Sequence, residues 1–88
     1  MIMRKNRLFT IEDLKDYALS KGYELDFHRY KRVFTLIKID SPNEWGWIYF
    51  PHTEDKLVER VDNLNFDGWK VAIDKTISSI AEQDKINY

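Results

Sequence analysis

Two histidines (His28 and His52), four serines (Ser20, Ser41, Ser78 and Ser79) and 15 carboxylates are the side chains of this 88-residue chain from which catalysis or metal binding could be built. Cysteine is absent, which removes disulfides, thiolate metal sites and cysteine nucleophiles together. The serines sit in no strand–turn–helix nucleophile motif, and there is no glycine-rich phosphate loop. Glu54 and Asp55 form a carboxylate pair, but they fall where a helix would begin, and capping explains them there. No catalytic residue, cofactor site or metal site is expected, and the chain reads as a non-enzyme.

Three short stretches carry more information. "PHTED", residues 51–55, sets His52 two residues before Glu54. A zinc deaminase site with His-x-Glu also needs a pair of cysteines, so His52 reads as a surface histidine beside a cap. "HRYKR", residues 28–32, gathers His28, Arg29, Lys31 and Arg32 around Tyr30. At the tip of a hairpin the cations could grip phosphates while the ring stacks on a base. Arg29, Tyr30, Lys31 and Arg32 are therefore the candidate nucleic-acid-binding residues.

The third stretch is "NEWGWIYF", residues 43–50, with Trp45, Trp47 and Tyr49 at every second position. In a strand these three share one face, and Gly46, Ile48 and Phe50 share the other, so neither face is polar. A buried aromatic hides about 150–250 Å². Three of them facing outward rival the largest apolar patch of an ordinary monomer, roughly 300–600 Å². The expectation is that Trp45 and Trp47 are the pair left partly exposed. Gly46 leaves room for a helix on the other face, and Ile48 and Phe50 fit a helix-packed core.

Around these stretches the chain reads as one domain, residues 1–88. Its composition is 43% hydrophobic, 15% aromatic and 33% charged, globular rather than disordered. The start "MIMRKNRLFT" leads into no apolar run of signal-peptide length, and no segment is apolar enough to span a membrane. A cytoplasmic protein is expected. Residues 1–38 hold nine Lys/Arg and five Asp/Glu, net +4, whereas residues 39–88 hold five and ten, net −5. A basic end and an acidic end could thus face different partners.

The periodicities place the elements. Thr10 can cap a helix over 10–21, with Glu12 and Asp13 in its first turn, Ile11, Leu14 and Ala18 on its apolar face, and Gly22 as its stop. "YELDFH" alternates, sending Tyr23, Leu25 and Phe27 inward and Glu24, Asp26 and His28 outward. "RVFTLIKI" is apolar on both faces and suits a central strand. "DSPNE" is a turn, and "WGWIYF" is the third strand. Thr53, Glu54 and Asp55 would open a second helix with Leu57, Val58, Val61 and Leu64 as its stripe. "NFDG" would break it, and Trp69 to Ile80 mark a third. The expected class is α+β: helix, three-stranded antiparallel meander, two C-terminal helices.

The order helix, three strands, helix resembles the double-stranded-RNA-binding domain, whose second helix starts with a lysine cluster on phosphates. The corresponding start here is "TEDK", with carboxylates in that place. "LVERVDNLNFDGW", residues 57–69, preceded by a helix and three strands, resembles the matching segment of small phage-borne type II-A anti-CRISPR proteins. Val58, Glu59, Gly68 and Trp69 stand at matching spacing. That resemblance implies a small protein that docks on the CRISPR nuclease and sets carboxylates against its PAM-reading site in imitation of DNA. Asp55, Glu59, Asp62 and Asp67 of the acidic half would take that part. The leading expectation is a non-enzymatic protein-binding module, an inhibitor from a phage or mobile element docking on a larger host protein. Its candidate contacts are Trp45, Trp47 and Tyr49 with those four carboxylates. A homodimer is the other expected partner, and a nucleic-acid-binding domain is the alternative function.

Overall fold

The computed structural model describes residues 9–53 and 55–86. Helix α1 (Ile11–Ser20) leads into strands β1 (Tyr23–His28), β2 (Val33–Lys38) and β3 (Trp45–Trp47); after a single 3-10 turn (Val61–Asn63), helix α2 (Phe66–Ile86) ends the fold. The strands form an antiparallel sheet in the order β1-β2-β3. Both helices pack on one face of it, giving the expected α+β class and meander.

Local chemistry sets the α1 boundaries. The Thr10 hydroxyl accepts from the Asp13 N–H (3.4 Å), and the Asp13 carboxylate accepts from the Thr10 N–H (2.9 Å). This reciprocal pair satisfies two amides that the helix itself cannot. At the other end Gly22 takes φ +86°, a conformation open to glycine without steric cost. Its carbonyl then accepts from Ile39 N–H (3.1 Å), joining the helix stop to the end of β2.

The core lies between the sheet and the helices. Leu14 and Ala18 of α1, Leu25, Phe34, Leu36 and Ile48 of the sheet side, and Trp69, Ala72, Ile73 and Ile80 of α2 form one buried cluster. β2 is buried at Val33, Phe34, Thr35 and Leu36, as a central strand with two apolar faces should be. Phe27 departs from its expected place. It keeps the parity of Tyr23 and Leu25 and meets Phe34 edge-on at 5.0 Å, yet is 41% exposed. Alternation sets which face a residue takes, but not how far the helices extend toward the hairpin tip.

The segment expected as a second helix is extended instead. Tyr49 and Leu57 form a β-bridge, with Phe50 N–H donating to Lys56 O (2.9 Å) and Val58 N–H to Ile48 O (3.0 Å). Val58 is fully buried, and its carbonyl accepts from Phe34 N–H (3.4 Å). The chain therefore returns along β3 and seals the start of β2. These sheet bonds override a stripe that also satisfied helical spacing. Only Val61–Asn63 coils, as one 3-10 turn. Thr53 closes a turn rather than opening a helix: its hydroxyl accepts from Lys56 N–H (3.4 Å). Glu54, assigned with it to a cap, lies outside the described residues.

"NFDG" likewise starts a helix rather than breaking one. The Asn65 side-chain oxygen accepts from Gly68 N–H (2.7 Å), and its carbonyl accepts from Trp69 N–H (2.9 Å). Asn65 is thus the N-cap of α2, which begins three residues earlier than the apolar periodicity alone implies.

A polar tie joins the two helices. The Tyr17 hydroxyl donates to both Asp74 carboxylate oxygens (2.9 and 3.1 Å), and Lys21 Nζ approaches the same carboxylate at 4.0 Å. Burial, then the hydrogen bond to Asp74 and its negative charge, raise the Tyr17 phenol above its ordinary value near 10. A raised pKa favours the protonated form in the fold. The stability it adds is whole below about pH 10 and is lost as pH climbs through the higher folded-state value. Tyr17→Phe is therefore expected to flatten the fall of stability above pH 10, read as urea midpoints at pH 8 to 11, while changing the slope near neutrality little.

Candidate functional site

The third strand answers the question its sequence poses. Trp45 is paired with Ile37, and Trp47 with Thr35. Their side chains lie on the face opposite the helices, together with the Tyr49 ring two residues on. On the helix face, a Cβ added at Gly46 would meet Ile80 Cγ1 and Thr76 Cγ2 of α2 at 3.4 Å. A methyl group would just fit there in ordinary contact, whereas a larger side chain would push the helix off the strand. Ile48 is fully buried, and Phe50 is half-buried against the core.

On the outer face Trp47 is partly covered. Its ring lies 5.7 Å from His28, reached across the buried Thr35 of β2, and 5.1 Å from Trp45 in an edge-to-face contact. Trp45 is 43% and Tyr49 37% exposed. Among the described residues no helix packs on this face. Between the β3 edge and α2 runs a groove of about 720 Å³, with Trp45, Trp47 and Tyr49 on one side and Thr76, Ser79 and Gln83 on the other. Lys75, also on the groove, donates from Nζ to Pro51 O (2.7 Å), pinning the turn after β3 to the helix.

The carboxylates grouped with these rings stand elsewhere. Asp55 and Glu59 line a second concavity of about 700 Å³ together with Tyr30, Lys31, Lys56 and Phe50. Asp62 is held by Arg60 through two hydrogen bonds (Nε to Oδ1 3.1 Å, Nη2 to Oδ2 2.9 Å), so its charge is locally neutralised. Asp67 is exposed in the first turn of α2, where the helix dipole favours it. The structure thus holds Trp45, Trp47 and Tyr49 together and brings acidic Asp55 and Glu59 beside the basic tip, an adjacency their sequence separation conceals.

At that tip Tyr30 is 94% exposed, and Arg29, Lys31 and Arg32 are exposed around it. Arg32 adopts φ +59°, a left-handed conformation that disfavours non-glycine residues. The His28 ring accepts from the Lys31 N–H at Nδ1 (3.3 Å) and so braces the turn. His28 thus braces the hairpin through Nδ1 and meets Trp47 in a tilted ring contact, a role the sequence did not signal. His52 is exposed on the turn after β3. Among the described residues no three His, Asp or Glu side chains gather as metal ligands.

The double substitution Lys31→Glu with Arg32→Glu is expected to leave the thermal midpoint within a few degrees of the parent. Neither side chain is buried, and exposed changes of this kind cost about 0.5 kcal/mol or less. Differential scanning calorimetry checks it. The same variant separates functions, because binding to phosphates through this tip would disappear with the charges. Among the described residues, no helix is long and apolar enough to cross a membrane. No protein-family model, no characterised protein and no solved structure matches the chain.

Proposed function

We propose that this chain is a non-enzymatic protein-binding module whose contact surface centres on Trp45, Trp47 and Tyr49. One observation carries the reading: the three aromatics stand side by side on the sheet face that no described helix covers, with Trp45 43% and Tyr49 37% exposed. Tryptophan and tyrosine dominate binding energy at protein interfaces because a large rigid ring is desolvated at little entropic cost. Their outward placement on a fold that already fills its core with Trp69, Phe34 and Ile48 is support for contact rather than packing. The resemblance of residues 57–69 to anti-CRISPR proteins makes a host nuclease the first partner to try, with the module acting as a cytoplasmic inhibitor of phage or mobile-element origin.

The test is a titration of guide-loaded type II-A CRISPR nuclease with the parent chain and with Trp45→Ala and Trp47→Ala. Each substitution is expected to weaken binding by more than about 1–2 kcal/mol, or about five- to thirtyfold, with circular dichroism unchanged. Absence of binding by the parent removes the nuclease as partner. Equal affinity of all three proteins removes the aromatic surface.

A second reading has its own observation, the 94% exposed Tyr30 among Arg29, Lys31 and Arg32. It assigns the tip to nucleic acid. Asp55 and Glu59 on the adjoining concavity oppose phosphate there, which ranks this reading second. Salt distinguishes the two. Phosphate binding weakens steeply between 50 and 200 mM salt, by an amount that grows with the number of phosphates contacted, whereas contact through three uncharged rings changes little.

A further inference from the structure

We infer that the outer edge of β3 is a strand-addition site that takes an extended segment of a partner polypeptide. The inference rests on the protein-binding reading above and specifies how the partner is held.

The ladder shows which backbone groups are free. Lys38 N–H donates to Glu44 O (2.9 Å), Gly46 stands opposite Leu36, and Ile48 N–H donates to Phe34 O (3.1 Å). Glu44 O, Gly46 and Ile48 N–H therefore face β2, while Glu44 N–H is used on Ser41 O (2.8 Å) and Ile48 O accepts from Val58 N–H (3.0 Å). Antiparallel alternation turns the N–H and C=O of Trp45, Trp47 and Tyr49 the other way. Among the described residues none of these groups has a hydrogen-bond partner. The returning segment does not close this edge, because its bonds to Ile48 O and from Phe50 N–H lie on the β2 side.

Edges of this kind are ordinarily guarded by charges, prolines or bulges. From Asn43 to Phe50 the only charged side chain is Glu44, which faces Lys38 at 3.7 Å. Pro51 comes only after the free groups. An added strand would have its outward side chains on Trp45, Trp47 and Tyr49, and its inward ones in the groove against Thr76, Ser79 and Gln83. The occupant is thus an extended segment alternating apolar residues with small polar ones. Main-chain bonds supply the affinity and the two walls the selectivity.

A second copy of the chain fits this edge less well. Two-fold pairing about Trp47 would bring two α2 flanks together, setting the polar row Lys75, Ser79 and Gln83 of one copy against the same row of the other. Stable dimers bury about 800 Å² per subunit around an apolar centre. A three-residue strand with a polar helix beside it lacks that area, whereas a single strand needs only the edge and the groove.

The probe is a phage-displayed library of ten-residue peptides selected on the full-length protein, the best sequence then being synthesised. Enriched peptides are expected to alternate apolar and polar residues with a period of two. In the free protein the amides of Trp45, Trp47 and Tyr49 should exchange rapidly with deuterium, while those of Gly46 and Ile48 are protected. The synthetic peptide should slow the first three at least tenfold. Replacing the Trp47 amide by an ester should weaken the peptide about tenfold and lower the thermal midpoint by no more than a few degrees, through the weaker ester carbonyl that Gly46 then offers β2. Protection of the three amides in the free protein at every dilution overturns the proposal, since the chain then covers its own edge. Protection that vanishes on dilution overturns it in favour of a second copy. No enrichment over a Trp45→Ala control, helical spacing in the selected peptides, or an ester without effect also overturns it. If Trp45→Ala and Trp47→Ala abolish peptide binding while the ester does not, strand addition fails and the aromatic surface stands.

Discussion

Replacing Trp69 with alanine is expected to cost about 3–5 kcal/mol of folding stability, the range for truncating a buried large aromatic. A domain of this size holds roughly 5–15 kcal/mol in all, so the variant should be partly unfolded at 37 °C. Two contacts of the ring and one of its backbone make this residue the keystone of the second half. Its side chain is fully buried and meets Phe34 of β2 edge-to-face at 5.0 Å. Its Nε1 donates to Val61 O (2.8 Å), holding the 3-10 turn against α2. Its backbone lies in the first turn of that helix, under the Asn65 cap. Alanine would open a cavity against the sheet and leave the Val61 carbonyl without its indole donor. Trp69→Phe keeps most of the packing and loses only the hydrogen bond, so a smaller loss of about 1–3 kcal/mol is expected. Urea unfolding of the two variants gives both numbers, and an alanine variant as stable as the parent would place the ring outside the core.

The first half of this fold is legible because its signals are local. A threonine cap with an aspartate three residues on, a glycine at the helix stop and six alternating residues each act within one element. The second half is decided by partners far along the chain. Leu57, Val58, Val61 and Leu64 fit one face of a helix as well as they fit an extended return, and only pairing with Ile48, Phe50 and Phe34 chooses between them. "NFDG" is ambiguous in another way. Asparagine followed by an acidic residue is a helix-start signal as well as a turn signal, and the apolar run from Trp69 onward could have been traced back to it.

The same division holds at the candidate site. Gly46 between two tryptophans marks which face the helix approaches, since only that position lacks a side chain to obstruct it. The cover of Trp47 by His28 is not legible, because the two residues meet across the width of β2. Nor does charge counting place Asp55 and Glu59 beside Lys31. Lys31 of the first half and Asp55 and Glu59 of the second line one concavity, so the charge at that tip is mixed.

The alternation within β3 yields the second large effect. Ile48→Ala is expected to cost about 2–5 kcal/mol, and Trp45→Ala, a far larger truncation, only about 1–3 kcal/mol. The order inverts what side-chain size suggests. Ile48 is fully buried in the cluster with Ile73 and Ile80, and its backbone joins β2 to the returning segment through Phe34 and Val58. Removing its three outer carbons leaves a void between two layers that cannot close. Trp45 is 43% exposed and rests on Trp47, so its loss removes one aromatic pair, worth about 0.5–1.5 kcal/mol beyond area, and the partial area it covers, but opens no enclosed void. Urea midpoints at equal m-values measure both costs. Acrylamide quenching supplies an independent check, because Trp45 should account for most of the accessible emission and Trp69 for none. If Trp45→Ala proves the more destabilising, or quenching reaches no indole, the aromatic face is interior and the surface assigned to a partner is the protein's own core.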